Sequence, residues 1–227
     1  MGTLSVDIGG THIKLLLEGE TKRRAFASGK DITPKGMMEN IANLSEGWTW
    51  NQVSIGLPAP IVDSKPILEP YNLGGGWVEF DYEAAFGCPT KLLNDAAMQA
   101  LGSYEGGKML FLGLGTGLGS AMVVPENQVL PMELGHMPYR KKGSVYEDYL
   151  GEHYLEEKGH GKWSKHVRRA VKQFQNGLQP EYIVLGGGNT KQLKELPKGC
   201  RRGANKNAFL GGYRMWDKNA TMPKNIT

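Results

Sequence analysis

The sequence has few cysteines and no long apolar run. Cys88 and Cys200 are too few for a disulfide framework, and they lack the paired spacing of a metal site. No apolar run approaches the roughly 20 residues that a membrane helix needs, and the first residues lack the basic and apolar regions of a signal peptide. We therefore expect a cytoplasmic protein with no membrane partner.

Glycine, in contrast, is abundant. The chain has 32 glycines among 227 residues, where an average composition gives about 16. The glycines follow no three-residue period, which excludes collagen, and the 40% hydrophobic content argues against a disordered chain. The composition predicts a globular protein with special backbone requirements, large enough for one core or for two small lobes.

Charge is distributed unevenly along the chain. The net charge is +4, but the segment 158–206 carries twelve lysines and arginines against two glutamates, a local charge of +10. The remainder is therefore at −6. This asymmetry favours a polyanionic ligand such as a nucleotide, polyphosphate or nucleic acid, although a charge run is also typical of a solvated face.

Two similar strand–turn–strand units predict two α/β lobes, each opening with a glycine-bearing hairpin. They span residues 3–17, with the turn Gly9, Gly10 and Thr11, and residues 109–124, with the run Gly113–Gly119. Further strands are predicted at 53–57, 92–93 and 182–185, and helices at 34–46, 94–102, 162–176 and near 191–196. The helix that begins at Asn94 is expected to be the hinge between the two halves.

Both glycine runs are suited to phosphate binding. Glycines let backbone N–H groups approach an anion closely, and Asp7, just before the first run, could hold Mg²⁺ through water. An ordinary hairpin explains the first run equally well. The second run is neither a P-loop nor a dinucleotide-binding fingerprint, so a phosphate cradle and a structural bulge both remain open.

Three further motifs carry polar groups that could act on a ligand, although each is also compatible with a structural role. Asp95 follows Asn94 at a predicted helix start, where a carboxylate could take a proton from a hydroxyl moving to a phosphoryl group; a capping pair is the alternative. Glu133 and His136 could bind sugar hydroxyls or a metal, and the lack of nearby cysteines favours sugar. The amide of Asn72 suits a vicinal diol, but the motif alone is only a turn.

Taken in order, the motifs resemble those of the ROK sugar kinases of the actin/hexokinase/Hsp70 superfamily. The resemblance covers roughly residues 3–215 and is most similar to the glucokinases that can use inorganic polyphosphate. The motifs are Asp7-Ile-Gly-Gly-Thr11, Gly56-Leu-Pro58-Ala-Pro60, Asn72 to Trp77, Asn94-Asp95-Ala96, Leu114-Gly-Thr-Gly-Leu-Gly119, Glu133-Leu-Gly-His136 and Ile183-Val-Leu-Gly-Gly-Gly188.

This resemblance implies an α/β, two-lobe, actin-like ATPase (ribonuclease H-like) fold with a cleft between the lobes. The lobes would span residues 1–106 and 107–227, with the last helix packing back on the N-terminal lobe. The implied activity is transfer of a phosphoryl group from ATP or polyphosphate to the 6-hydroxyl of a hexose, with glucose first. A homodimer that uses Mg²⁺ is also implied.

The alternatives are an ATP-dependent kinase for fructose, N-acetylmannosamine or N-acetylglucosamine, and a non-catalytic sugar-binding relative. Related repressors carry a DNA-binding domain ahead of the first motif, which here begins at Asp7. We therefore expect no nucleic-acid partner.

The resemblance also implies a role for each matching residue. Asp95 would be the general base, and Asp7 would orient Mg²⁺ through water. Lys14 would either reach a phosphate or lie at the surface. The sugar would contact Asn72, Asn94, Asp95, Glu133, His136 and Glu147. The phosphates or nucleotide would contact Gly9, Gly10, Thr11, Gly115, Thr116, Gly117, Gly186, Gly187 and Gly188.

The sequence departs from the family pattern at two points. Many members have a cysteine-rich zinc motif after Glu-x-Gly-His, but residues 137–143 contain no cysteine, so no structural zinc is expected. The C-terminal half is also short, which leaves adenine recognition open. The basic residues around 162–172 and 191–206 then suggest a track for a long polyanion.

Overall fold

The computed structural model describes residues 2–204 and 206–217. Within these ranges the chain forms strands and α-helices, with 3₁₀ helices at Leu134–His136 and Gly188–Gln192. In chain order the elements are β1 (Gly2–Ile8), β2 (His12–Leu17), β3 (Arg24–Ala27), α1 (Pro34–Leu44), β4 (Trp50–Leu57), β5 (Ile61–Val62), β6 (Lys65–Pro66), α2 (Tyr82–Phe86), β7 (Thr90–Asn94), α3 (Asp95–Ser103), β8 (Met109–Leu114), β9 (Leu118–Val124), β10 (Gln128–Met132), α4 (Glu147–Leu150), α5 (Glu152–Lys158), α6 (His160–Leu178), β11 (Tyr182–Gly186), β12 (Cys200–Arg202) and α7 (Asn207–Arg214).

Two five-stranded sheets have the same strand order. The first runs β3-β2-β1-β4-β7 and the second β10-β9-β8-β11-β12. In each sheet the first three strands are antiparallel neighbours, and the last two run parallel to the central strand. The predicted α/β class and both predicted glycine hairpins are therefore confirmed.

The centre of the first sheet is covered on both faces. Leu4, Val6 and Ile8 of β1 belong to the apolar core of the first half, while Ser5 on the opposite face is also buried. A Cβ atom on Gly212 of α7 would lie 2.1 Å from Ser5 Oγ, and Ser54 Oγ donates to Gly212 O at 2.6 Å. The small residues on this face allow α7 to lie directly on β1 and β4.

Helix α3 runs from the first sheet to the second and crosses α7 at very short range. A Cβ atom on Gly102 would lie 1.8 Å from Asn207 O, and one on Gly211 would lie 1.7 Å from Met98 O. Glycine is therefore required at both positions by backbone contact. The C-terminal helix returns to the helix that leads from one sheet to the other.

The sequence predictions for the second half need two corrections. The segment predicted as a helix near 191–196 contains the end of the 3₁₀ helix Gly188–Gln192 and no α-helix. The guanidinium of Arg202 donates hydrogen bonds to the backbone carbonyl oxygens of Thr190 and Leu193. Pro197 lacks the backbone N–H that a helix needs. Helices α4 and α5 lie in a stretch for which the sequence predicted no helix or strand.

Helix α6 has a buried stripe that includes Trp163, Val167 and Phe174, and it extends slightly beyond the predicted range 162–176. Among the described residues, no helix has both the length and the apolar character needed to cross a membrane.

Candidate active site

The first glycine turn follows β1 and is held by its neighbours. Gly9 N–H donates to His12 O at 3.0 Å, and the buried Ser28 donates from Oγ to Gly9 O at 2.8 Å. Gly10 and Thr11 are exposed. The turn thus presents its tip to solvent while its base is fixed.

Asp7 precedes this turn and is largely buried. It pairs with Lys14 in the β1–β2 register and with Gly56 in the β1–β4 register. Lys14 Nζ donates to Asp7 Oδ2 at 2.9 Å. The ammonium group of Lys14 is therefore half-buried and bound to Asp7, and it is not freely solvated.

Asn94 and Asp95 lie where β7 passes into α3. Asn94 is the N-cap, because its Oδ1 accepts from Ala97 N–H at 3.2 Å, and its Nδ2 donates to Ala59 O at 3.4 Å. Burial, the negative charge of Asp7 and, less strongly, that of Glu133 together raise the pKa of Asp95 to about 7, although the backbone N–H of Ala96 lowers it. The three carboxylates therefore lie in one region.

Glu133 precedes the 3₁₀ helix Leu134–His136, and His136 is its last residue. Glu133 Oε2 lies 3.8 Å from His136 Nδ1, and both side chains are exposed. Their segment is fixed by Ser120, whose Oγ donates to Met132 O at 2.7 Å and accepts from Leu134 N–H at 3.1 Å. Two residues with exposed polar ends are thus presented from a rigid backbone.

An aromatic cluster holds the segment that follows His136. The ring of Tyr139 stacks on Tyr146 at 4.4 Å, and its hydroxyl lies 3.1 Å from His166 Nδ1. The hydroxyl of Tyr154 lies 3.2 Å from the other ring nitrogen of His166. Among the described residues no group of three or more potential ligands could hold a metal ion; the absence of a structural zinc stays a prediction.

The turn within the second glycine run is shorter than the sequence predicted. Gly113 and Gly119 are paired across β8 and β9, so only Gly115–Gly117 form the turn. Gly119 is required by packing, since its Cβ would lie 2.7 Å from Ala96 Cβ of α3. The expectation that all four glycines serve a loop is therefore wrong for these two.

Side chains on both sides hold this second turn. Asn189 Nδ2 donates to Gly115 O at 3.1 Å, and Glu147 Oε2 accepts from Leu118 N–H at 3.0 Å. Thr116, at the tip, is exposed. The turn therefore has a fixed base and an accessible tip, as the first one does.

The three glycines after β11 pack against the same turn. Gly186 pairs with Gly113 in the sheet register, and Gly187 has φ +82° with its Cβ position 2.2 Å from Leu114 O. Gly188 begins the 3₁₀ helix that carries Asn189. The structure thus brings Gly186–Gly188 and Gly115–Gly117 together.

Asn72 lies in an exposed turn beside Tyr71, which is almost fully exposed. The turn is anchored two residues later, where Gly74 N–H donates to Ile32 O at 3.0 Å and the buried Trp77 donates from Nε1 to Gly74 O at 2.6 Å. In the described part of the chain no hydrogen bond joins the Asn72 side chain to the other predicted sugar ligands.

The sequence reading missed three residues that fix the backbone of the site. They are Ser28, Ser120 and Asn189, all buried. Asn189 follows the Gly186–Gly188 run directly, so its position beside a glycine cluster was the one available signal. The two serines carry no local signal, because their partners lie elsewhere in the chain.

Comparison with known proteins identifies the class and then the family. The solved inorganic polyphosphate/ATP-glucomannokinase from Arthrobacter sp. strain KM matches with a TM-score of 0.78 and 22% identity, over 92% of this chain and 96% of that chain. The fold is the two-lobe, actin-like ATPase fold, and the predicted fold class is confirmed. A model of the ROK family matches residues 3–145. The chain belongs to the ROK family.

Two proteins with similar sequences are sugar kinases. The polyphosphate glucokinase of Mycobacterium tuberculosis is 23% identical over 209 residues, which is 82% of this chain and 77% of the relative. The N-acetylmannosamine kinase of Escherichia fergusonii is 32% identical over 139 residues, which is 54% of this chain and 47% of the relative.

Proposed function

We propose that the protein is a kinase that transfers a phosphoryl group from ATP or inorganic polyphosphate to the 6-hydroxyl of a hexose, with glucose as the first candidate. The observation that carries the proposal is Asp95, which begins α3 with a pKa of about 7 beside Asp7 and Glu133. A base with a pKa near the working pH transfers protons efficiently. The likeness to the polyphosphate glucokinase and the glucomannokinase supports the hexose and the donor.

Asp95 accepts the proton of the sugar hydroxyl as the hydroxyl oxygen attacks the donor phosphorus. Asn94, next to it, uses one lone pair and one N–H group within the protein, so its amide retains a donor and an acceptor for a sugar hydroxyl. Asn72, Glu133, His136 and Glu147 complete the sugar contacts in this proposal.

The two glycine turns hold the phosphates. Gly9, Gly10 and Thr11 contact the donor from the first lobe and Gly115, Thr116 and Gly117 from the second, with Gly186, Gly187 and Gly188 behind them. Lys14 reaches the donor phosphates from its place beside Asp7. Phosphoryl transfer depends mainly on such positioning and on charge neutralisation.

Asp7 also suits a magnesium ion that keeps most of its waters. The described residues hold no group of three potential ligands for direct coordination, but Mg²⁺ is typically bound through one or two carboxylates together with water and substrate phosphates. Asp7 would hold the ion through water. Bound there, Mg²⁺ would supply neutralising charge to the donor phosphates.

The lobes in this proposal span residues 1–106 and 107–227, and they close over the substrates. Closure excludes water, which would otherwise hydrolyse the donor. We also propose that the protein is a cytoplasmic homodimer. Light scattering would measure the mass of this dimer.

N-acetylmannosamine is the second candidate substrate. The matching kinase of Escherichia fergusonii, at 32% identity over 139 residues, favours it. A non-catalytic sugar-binding protein is the remaining alternative, and sugar-dependent consumption of the donor distinguishes it from a kinase.

The test is a phosphorylation assay with glucose or N-acetylmannosamine, each with ATP and with polyphosphate. We expect a sugar 6-phosphate, and we expect Asp95→Asn to lower kcat by about 10²–10⁴-fold. Asp81→Asn is the matched control, because Asp81 caps α2 and is none of the proposed substrate contacts. Near-wild-type turnover of Asp95→Asn would refute the assigned base. No product from any pair of substrates would refute the kinase.

A further inference from the structure

The carboxylate of Glu147 lies against the second glycine turn. Its Oε2 atom accepts the backbone N–H of Leu118 at 3.0 Å. Leu118 begins β9 directly after Gly117, so this bond closes one side of the turn Gly115–Gly117. The resemblance assigns Glu147 to the sugar, but the structure shows its carboxylate bound to the backbone on the donor side.

Gly117 lies directly against this carboxylate. A Cβ atom on Gly117 would lie 2.2 Å from Glu147 Oε2. Gly117 has no positive φ, so its backbone conformation would accept other residues. Gly115, in the same turn, has open space at its Cβ position. A side chain at Gly117 would therefore displace the carboxylate of Glu147 from its place beside the turn.

The backbone around Glu147 is also fixed to the turn. Glu152 N–H donates to Thr116 O at 3.1 Å, and a Cβ atom on Gly151 would lie 2.7 Å from the same oxygen. The start of α5 thus contacts the tip of the turn while Glu147, at the start of α4, contacts its end. Rotation of Glu147 away from Leu118 would leave that N–H without its acceptor.

The second carboxylate oxygen of Glu147 is available to a ligand. Within the described residues, Oε2 accepts the bond from Leu118 N–H, and Oε1 accepts no hydrogen bond. A carboxylate has about four lone-pair positions, so one group can hold Leu118 and a sugar hydroxyl at once.

We propose that Glu147 is a positioning residue for the phosphoryl donor: its carboxylate fixes the turn Gly115–Gly117 in the shape that binds phosphate, in addition to contacting the sugar. The inference rests on the proposed function, in which this turn binds the donor. It predicts that loss of the Glu147 carboxylate weakens donor binding even when no sugar is present.

The experiment compares Glu147→Ala and Glu147→Gln by calorimetric titration with a non-hydrolysable ATP analogue and with inorganic polyphosphate, both without sugar. We expect Glu147→Ala to lower donor affinity at least about tenfold. Glu147→Gln should stay within about threefold of the wild type, because its amide oxygen can accept the same N–H. Glucose affinity should fall in both variants, because both lose the charge.

Asp148→Ala is the matched control. It removes a carboxylate from the same helix, where Asp148 accepts from Val145 N–H at 2.8 Å, without touching the turn. We expect wild-type donor affinity. An equal loss of affinity in Asp148→Ala would assign the effect to α4 packing and overturn the inference, as would donor affinity in Glu147→Ala within twofold of the wild type.

Amide hydrogen exchange supplies a readout that needs no substrate. Exchange at Leu118 should be faster in Glu147→Ala than in the wild type, and near the wild-type rate in Glu147→Gln. Unchanged protection in Glu147→Ala would overturn the inference alone. A wild-type protein that retains this protection but binds no donor and phosphorylates no sugar would instead refute the proposed function, and the donor role would be refuted with it.

Discussion

At the scale of single residues, Asp95 shows how the fold sets the proton affinity of one carboxyl group. The N-terminus of a helix favours a negative charge by about 0.3–1 kcal/mol, and Asp95 occupies the first turn of α3. Its pKa is nevertheless raised to about 7, because burial and the charges of Asp7 and Glu133 oppose ionisation. These two effects outweigh the helix terminus, so the carboxyl group of Asp95 titrates near neutral pH.

A raised pKa in the folded state lowers stability at high pH. Because folded Asp95 binds its proton more tightly than the unfolded chain does, its contribution to stability is full below about pH 4 and is lost as the pH rises through about 7. We therefore expect Asp95→Asn to raise Tm relative to the wild type at pH 8 and to change it less at pH 5. Each kcal/mol corresponds to about 2–4 °C for a chain of this size.

Thermal unfolding monitored by circular dichroism at the two pH values measures this difference. Asp81→Asn, at the N-cap of α2, should show no such gain at pH 8. A Tm difference between Asp95→Asn and the wild type that is the same at pH 5 and pH 8 would contradict the prediction.

Sequence reasoning reached those site residues whose signal is local. Asn94 was predicted as a helix N-cap because a strand passes into a helix at that point, and the hydrogen bond from Ala97 N–H confirms the cap; the catalytic role of Asp95 stays a prediction. The bond between Asn189 and Gly115 joins residues 74 positions apart, and the Lys14–Asp7 contact depends on the register of two strands. No local pattern encodes such partners.

Asn189 provides a test of the second glycine turn from the side opposite Glu147. Its Nδ2 group is buried and donates to Gly115 O, so its loss leaves a carbonyl of the turn without that donor. We expect Asn189→Ala to lower donor affinity about fivefold to tenfold and to leave glucose affinity unchanged, as measured by calorimetric titration with each ligand. Asn40→Ala removes a similar bond, to Gly36 O on the exposed side of α1, and should change neither affinity.

An equal fall in glucose affinity and donor affinity in Asn189→Ala would contradict a role confined to the donor turn.

At the scale of secondary-structure elements, the glycines divide into two kinds. Gly115 has open space around it, whereas Gly119, Gly102 and Gly211 lie where a neighbouring element leaves no room for a Cβ atom. Glycine content alone did not separate these kinds in the sequence, since both give the same composition. The tertiary packing of α3 against β9 and α7 distinguishes them.

The crossing of α3 and α7 predicts a large effect of one methyl group. A Cβ atom on Gly102 would lie 1.8 Å from Asn207 O and 2.5 Å from Gly211 N, and neither backbone atom can move without shifting α7. We expect Gly102→Ala to destabilise the protein by about 3 kcal/mol, as measured by urea unfolding. Gly177→Ala is the control, because Gly177 is at an exposed position of α6 with open space around its Cβ position, and alanine there should stabilise the protein by about 0.5–1 kcal/mol.

A Gly102→Ala variant as stable as the wild type would show that α3 and α7 can separate at no cost.

At the scale of the whole molecule, the presence of two sheets with the same strand order explains why the fold class could be predicted from the sequence. Each half repeats a hairpin with glycine at the turn, and hairpins are local features. The return of α7 to β1 was harder to locate from the sequence, because Ser54 and Gly212 are 158 residues apart. Small residues such as Ser5 in a central strand carry that information, but they become meaningful only once the helix that covers them is known.

The uneven charge makes a further prediction about the whole molecule. Helix α6 exposes Lys162, Lys165, Arg168, Arg169 and Lys172 on one element, and no side-chain ion pair in the described residues involves them. A long polyanion that contacts several cations releases several counterions, so its affinity falls steeply with salt, whereas a short ligand held in a turn is affected less. If polyphosphate is the donor and extends over α6, KM for long-chain polyphosphate will rise more steeply with salt than KM for ATP.

Charge reversal locates the effect on the surface. Lys165→Glu combined with Lys172→Glu should raise KM for long-chain polyphosphate severalfold and flatten its salt dependence, while KM for ATP changes little, because both side chains point to solvent on α6. Lys22→Glu with Arg23→Glu makes the same charge change in the first half and should leave both KM values near the wild type. A polyphosphate track on α6 requires the effect to depend on where the charges lie. If both double variants raise KM for long-chain polyphosphate equally, net charge alone is responsible and the track is contradicted.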